Sequence, residues 1–284
     1  MVIFLTILPV WLVASTAIGL WLWHKGGEGQ PEPAKLRTPV SVEGLESDLK
    51  KIVEIAGPRH VGSDRGAIGL RRISAMIRGT LGPENAGYLL EVHPGPPTER
   101  GSWPIVIARL PGEGPPLAVV AGYDAPADRV GVEFNGTGVA SLLAVAQAMA
   151  GESPGRPVAF AFVPHAYDEK APLEETARRL VDHLGEVGTV VLVEATGGSE
   201  RLIASAHDRE LLAPFEGRVA IAEVEDSGAD PFGPLFEMGA PLVRVASQGG
   251  LAERASNERL PDPAVHAAAT GRLGQLVGAL AAAP

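Results

Sequence analysis

Three short runs of almost purely apolar residues constrain the fold of this chain most strongly. They read LAVVA at 117–121, VAFAFV at 158–163 and TVVLVE at 189–194. Runs of this length without alternation of apolar and polar residues are typical of strands buried on both faces of a parallel sheet. Stretches with helical spacing separate them, at 136–150 and 173–184. This alternation predicts a three-layer αβα sandwich of the α/β class around a mostly parallel central sheet.

Weaker patterns fill in the rest of the fold. Shorter apolar runs predict three further strands, at 88–93, 104–110 and 241–246. Amphipathic spacing predicts helices over 42–56, with Ser41 as the N-cap, and over 65–81 and 261–282. In open α/β sheets ligands bind at the carboxyl ends of the strands. The loops that follow the three apolar runs are therefore where we expect the functional site.

The N-terminus predicts a membrane anchor. Val2–Trp23 contains 22 residues without a charge, which is about 33 Å of helix and enough to cross a hydrocarbon core of about 30 Å. Trp21 and Trp23 at its end, followed by His24 and Lys25, suit the membrane interface. A cleavable signal peptide is the alternative, but that would require a basic segment before a shorter apolar run.

Composition limits the organisation and the partners of the remaining chain. Residues 26–40 are rich in Gly, Pro and charge and predict a linker after an anchor over 1–25, and 41–284 suit a single domain. The chain has no Cys, which excludes a disulfide framework and a Cys-ligated zinc or iron–sulfur site. A net charge of −10 argues against a nucleic-acid partner, since phosphate neutralisation needs a basic face.

Six segments in order resemble the co-catalytic di-zinc aminopeptidases of clan MH, over about residues 42–284. The resemblance is carried by AGPRHVGS, IVIARLPGEGPPLAVVAGYDAP, GVEFNGTGVASLLAVAQAMA, RPVAFAFVPHAYDE, VVLVEATGG and DSGADPFGPLFEMGAPLVRV. That clan includes bacterial leucyl aminopeptidases, glutamate carboxypeptidase and glutaminyl cyclase, and the transferrin receptor and nicastrin share its fold without peptidase activity. The resemblance implies a zinc-exopeptidase-like α/β fold.

The residues at the family's metal-ligand positions differ from the active pattern. Active members bind two zinc ions through His and carboxylate side chains, and a Glu acts as general base. The corresponding positions in this chain are Gly122, Phe134, Ala166, Tyr167, Glu194 and Ala229. Only Glu194 offers a carboxylate, whereas a catalytic zinc needs about three protein ligands. A two-metal site also needs a bridging carboxylate, which Phe134 cannot supply. The resemblance therefore implies that no metal is bound, and we expect the Phe134 ring to occupy the space between the former ions.

Shifted carboxylates leave a second interpretation open. Asp124, Glu133, Asp168 and Glu194 would form a residual acidic cleft, and a two-residue loop insertion would bring Asp168-Glu169 to the family's Glu-Glu position. A single metal could then be held by Asp124, Glu133, Glu169 and Glu194, with Glu169 as the catalytic group. The opposing interpretation of Asp168 and Glu169 is that they are solvated loop side chains.

Two functions follow from these alternatives. The first is a single-pass membrane protein without peptidase activity that binds a peptide or protein in the old active-site cleft, or acts as a scaffold. The second is a metal-dependent peptidase, amide hydrolase or amide-transfer enzyme with a rebuilt single-metal site, and zinc is expected only there. Many anchored relatives face the outside of the cell, so the resemblance places the domain outside the cytoplasm. The cations after the anchor, Lys25, Lys35 and Arg37, favour the opposite orientation.

Overall fold

The computed structural model describes residues 39–222, 239–247 and 258–282. The chain divides into two units, Met1–Glu32 and Pro33–Pro284, and the described residues all belong to the second. The predicted anchor Val2–Trp23 and the former ligand position Ala229 lie outside the described residues. Among the described helices, none is both long and apolar enough to cross a membrane.

A mixed sheet of eight strands forms the centre of the domain. The strands are β1 Glu91–His93, β2 Ile105–Leu110, β3 Leu117–Gly122, β4 Val158–Val163, β5 Thr189–Val193, β6 Leu202–Ser205, β7 Ala220–Ile221 and β8 Leu242–Ser247. Their order across the sheet is β1-β2-β4-β3-β5-β8-β6-β7. The pairs β4–β3, β3–β5, β5–β8 and β6–β7 are parallel, and the other three are antiparallel. The three apolar runs therefore form adjacent parallel strands, as predicted, while antiparallel pairs lie towards the edges.

Five α-helices accompany the sheet in the described part of the chain. They are α1 Val42–Lys50, α2 Asp64–Leu81, α3 Thr137–Ala148, α4 Leu173–Leu184 and α5 Pro263–Ala282. A π-helical turn, Lys51–Ala56, continues α1, and Arg209–Phe215 is a 3₁₀ helix. A kinked turn, Val132–Gly136, precedes α3, and its Phe134 and Asn135 have non-helical backbone angles. Ser41 caps α1 as predicted, because its side chain accepts a hydrogen bond from Gly44 N. Asp208 caps the 3₁₀ helix in the same way.

The two faces of the sheet pack against different helices. On β3, Val119 and Ala121 belong to a cluster with residues of α1, α2, α3 and α5. Ala118 and Val120 belong to a second cluster with residues of α4. Alternate residues of one strand thus face opposite helix layers, which confirms that these strands are buried on both faces and gives the predicted αβα layering.

A buried polar cluster joins α3 to α5. Ser141 Oγ lies 2.8 Å from Thr196 Oγ1, 3.0 Å from His266 Nε2 and 2.7 Å from Thr270 Oγ1. His266 Nε2 also lies 3.3 Å from the Thr137 carbonyl oxygen, which only accepts hydrogen bonds. Nε2 therefore carries the ring proton and donates it, so the imidazole does not act as a base towards Ser141. Burial lowers the pKa of His266 to about 4, which keeps the ring neutral.

The neutral His266 makes the domain sensitive to acid. A histidine in the unfolded chain has a pKa near 6.5, whereas burial lowers the pKa of His266 in the folded chain to about 4. The unfolding free energy is therefore highest above about pH 6.5 and decreases as the pH falls towards 4. We expect His266→Gln to reduce the loss of unfolding free energy between about pH 7 and pH 4.5 by about 2 kcal/mol. Urea unfolding at both pH values measures this, and His207→Gln, at an exposed position, is the matched control. An unchanged pH dependence in His266→Gln would show that the ring does not stay neutral in the fold.

Candidate functional site

Five of the six former ligand positions meet at the carboxyl edge of the sheet. Gly122 ends β3, Ala166 and Tyr167 lie in the loop after β4, and Glu194 directly follows β5. Phe134 lies in the kinked turn before α3 and has non-helical backbone angles. All five are in one continuous chain of contacts, described below, and we call this region the cleft. The sixth position, Ala229, lies outside the described residues.

Gly122 has no room for a side chain. A Cβ atom built at this position would lie 2.3 Å from Ala166 Cβ and 2.9 Å from Tyr167 Cε2. Non-bonded carbon atoms do not approach each other this closely, and the Ala166 methyl group cannot rotate away. Because Ala166 and Tyr167 are both buried, the loop after β4 packs directly on the end of β3. A histidine cannot be accommodated here unless that loop moves.

Two aromatic rings cover the middle of the cleft. The rings of Phe134 and Tyr167 are in edge-to-face contact, with centroids 5.8 Å apart and planes at 76°. The guanidinium carbon of Arg129 lies 5.4 Å from the centroid of the Phe134 ring, within the range of a cation–π interaction. The Phe134–Asn135 peptide bond is cis, and the Asn135 side chain donates to the Val193 carbonyl oxygen at 2.8 Å. Aromatic carbon and a guanidinium thus occupy the region where the resemblance places a bridging carboxylate.

Glu194, the one retained carboxylate, is paired with an arginine. Its side chain is completely buried, and Arg244 Nε donates to Oε2 at 2.8 Å. The Tyr167 hydroxyl lies 3.4 Å from the other oxygen, Oε1. Arg244 lies in β8 opposite Leu192 of β5, so residue 194 is two positions further along the same face of the sheet. The negative charge of Glu194 is therefore compensated within the protein.

Asp124 is also buried, and backbone N–H groups satisfy it. The amides of Ala166, Tyr167 and Asp168 all donate to its carboxylate at 2.9 Å. Burial raises the pKa of Asp124 to about 6, although these three hydrogen bonds favour the charged form. Burial also lowers the pKa of Arg59 to about 10, an effect that the negative charge of Asp124 opposes. Asp124 shapes the loop after β4 and holds Ala166 and Tyr167 against Gly122.

Arg59 fixes the other side of the cleft. Its fully buried guanidinium donates to the carbonyl oxygens of Gly57, Tyr123, Val130 and Gly131 at 2.9–3.0 Å. These carbonyls belong to two connections, the one before α2 and the one that runs from the end of β3 to the turn at Phe134. One arginine thus ties together the segment before α2, the end of β3 and the turn that carries Phe134.

The remaining predicted acidic residues face different partners. Asp168 Oδ2 accepts from Val61 N at 2.7 Å, and Glu133 Oε2 accepts from Thr137 Oγ1 at 3.3 Å. Glu169 is exposed. Among the residues that the structure describes, no three His, Asp or Glu side chains are grouped so that they could hold a metal ion.

The described residues at the former ligand positions do not fit the zinc ions that active members of the family bind. Gly122 has no space for a ligand, and Phe134, Ala166 and Tyr167 offer no imidazole or carboxylate. Glu194 would have to give up its ion pair with Arg244 to bind a cation. A catalytic zinc requires three protein ligands of His, Asp, Glu or Cys type, and Glu194 would be only one of them.

Three arginines that contact the cleft residues were not among the site residues predicted from the sequence. Arg59, Arg129 and Arg244 lie at no former ligand position, so the resemblance gave no reason to select them. Arg244 could have been found from its context, since it is the only charge in the otherwise apolar run PLVRVA at 241–246. A charge in a strand buried on both faces requires a partner of opposite sign.

Comparison with known proteins identifies the fold. No protein-family model matches the sequence, and no curated protein matches it significantly. Among solved structures, LapA aminopeptidase from Legionella pneumophila has a TM-score of 0.65 and 12% identity, covering 86% of this chain and 73% of its own. A Zn-dependent exopeptidase from Parabacteroides distasonis has 0.63 and 13%, over 85% and 99%. Glutaminyl cyclase from an Acidobacteriales bacterium has 0.65 and 14%, over 86% and 95%. The chain therefore has the α/β fold of the zinc-exopeptidase-like proteins.

Proposed function

We propose that this chain is a membrane-anchored, aminopeptidase-like protein that has lost zinc binding and catalysis and that binds a peptide or protein segment in the cleft. The observation that carries the proposal is the filled cleft. Gly122 is closed by Ala166 and Tyr167, and Glu194 is neutralised by Arg244. The fold neighbours are enzymes, so the fold by itself agrees with an active protein as well. The side chains in the cleft favour the non-catalytic function.

Amide hydrolysis requires a base that takes a proton from the attacking water. At the position where the resemblance places this base the chain has Ala166, whose methyl group cannot accept a proton. Asp124 is close to it in the fold, but its carboxylate accepts three backbone N–H bonds. Both oxygens of Glu194 are also in contact with protein groups, Oε2 with Arg244 Nε and Oε1 with the Tyr167 hydroxyl. Neither of these two carboxylates therefore has an oxygen directed at an open position for water.

The surface of the cleft suits the binding of a polypeptide. Phe134 is half-buried, and the side chain of Arg129 is 25% exposed. Aromatic and arginine side chains are enriched in protein interfaces, because both offer large apolar area together with directed polar contacts. The predicted anchor at Val2–Trp23 would keep such a binding domain at the membrane surface, on the side away from the cytoplasm.

The alternative, a rebuilt single-metal enzyme, has less support from the positions of the carboxylates. Asp124, Glu133 and Glu194 contact different partners, and Glu169 is an exposed loop residue. A divalent cation would need several of these oxygens within a common coordination sphere. The alternative thus requires several loops to rearrange.

The packing at Gly122 gives a direct test of the filled cleft. Gly122→Ala adds one methyl group that meets Ala166 Cβ at 2.3 Å, and we expect it to lower the unfolding free energy by about 1–3 kcal/mol. Gly79→Ala is the matched control, because a Cβ there has no atom within 4 Å and Ala favours the helix by about 1 kcal/mol. Denaturant unfolding of both variants measures the difference. Equal stability of Gly122→Ala and wild type would show that the cleft is open.

Catalytic activity is tested with the full-length protein in detergent. Leucine p-nitroanilide and a peptide with N-terminal glutamine represent the reactions of the fold neighbours, each assayed with added zinc and with EDTA. We expect rates equal to those of buffer alone under both conditions. Zinc-dependent turnover that is lost in Glu169→Gln, but kept in the control Glu174→Gln on the surface of α4, would instead establish the rebuilt enzyme.

A further inference from the structure

We propose that Arg244 takes the place of a metal ion in the cleft, so that the chain itself supplies the positive charge that Glu194 requires. This inference rests on the proposed loss of zinc and adds the residue that makes the loss tolerable. The chain has a zinc-exopeptidase-like fold, but the side chains described in its cleft do not match a set of zinc ligands.

The location of Arg244 is unusual for a charged residue. It lies in the middle of β8, which pairs with β5 on one side and β6 on the other. Leu242, two residues earlier on the same face, belongs to the apolar cluster beneath α4, as does Leu192 of β5, which lies opposite Arg244. The arginine side chain is only 14% exposed. An apolar residue would suit this strand position better, so the charge must serve a specific contact.

That contact is the ion pair with Glu194. The carboxylate is completely buried, and Arg244 Nε lies 2.8 Å from Oε2. A hydroxyl group contacts the other oxygen at 3.4 Å, which is long for a hydrogen bond and carries no full charge. A carboxylate buried without a compensating cation is strongly destabilising. The guanidinium is therefore the described group that allows Glu194 to stay ionised.

In an active relative, a bound metal ion would supply the positive charge that compensates the carboxylate at this position. The resemblance makes residue 194 a zinc ligand, whose charge the ion would balance. Gly122 and Phe134 provide no further ligands here, so a metal would be held too weakly to do this. Arginine suits the role because it stays charged when buried and its planar group donates several directed hydrogen bonds. It also reaches the carboxylate from the adjacent strand without displacing a loop.

The experiment is a double-mutant cycle on the full-length protein, measured by thermal unfolding. We expect Arg244→Met to lower the Tm by about 6–12 °C, because it leaves Glu194 buried without its partner. Adding Glu194→Gln to this variant should recover more than half of the loss. Arg244→Lys should fall between wild type and Arg244→Met. If Arg244→Met does not fold, the double variant and Arg244→Lys still decide the outcome.

A more exposed ion pair within the same sheet shows whether the effect depends on burial. Arg109→Met is the matched control. Arg109 is also an arginine within a strand, β2, and pairs with Glu91 at 2.7 Å, but both side chains are more than 30% exposed. We expect a smaller loss for this variant and no recovery on adding Glu91→Gln.

The outcomes distinguish this inference from the proposed function. If the Tm of wild type does not respond to EDTA or zinc and the double variant is no more stable than Arg244→Met, the role of Arg244 is wrong while the proposed function stands. If EDTA lowers the Tm of wild type and zinc restores it, a metal is bound and both proposals fail together.

Discussion

Charges buried at the carboxyl edge of the sheet must be compensated from within the chain, and this requirement determines the shape of the cleft. Asp124 accepts three successive backbone N–H groups and so fixes the loop after β4. Arg59 donates to carbonyls of two connections, before α2 and after β3, and fixes the segments around the turn that carries Phe134. Glu194 pairs with Arg244 across two adjacent strands. In each case a hydrogen-bonded group of the protein takes the place of water around the buried charge. Together these contacts hold the loops in one arrangement.

The cleft that results is filled by protein atoms. Once the loop after β4 is held by Asp124, its Ala166 and Tyr167 press on Gly122, and the Tyr167 ring packs against Phe134. In a site that hydrolyses amides, this volume would hold a metal-bound water and the substrate carbonyl. Here the same volume contains aromatic rings, with arginine side chains beside them. The chain has the zinc-exopeptidase-like fold, and the side chains described in its cleft are the basis of our proposal that it recognises a polypeptide without cleaving it.

Much of the fold could be predicted from the sequence, because burial of both sheet faces leaves a clear pattern. The runs at β3, β4 and β5 are almost purely apolar, and their strands lie within one residue of the predicted bounds. The strands β6 and β7 were missed, since they have only four and two residues and β7 is exposed. The lack of metal-binding groups at Gly122 and Phe134 could be read from the sequence by position. The partner of Glu194 could not, because Arg244 is 50 residues away and only the register of β5 against β8 brings the two together.

The measurement that tests the central claim most directly is the zinc content of the purified full-length protein. The protein would be incubated with excess zinc, dialysed against a weak chelator and examined by elemental analysis. Compensation of Glu194 by Arg244, with no other ligand at Gly122 or Phe134, predicts less than about 0.1 zinc ion per chain. A value near one or two ions per chain, reduced by Glu194→Gln, would contradict the account and show that the cleft is a metal site.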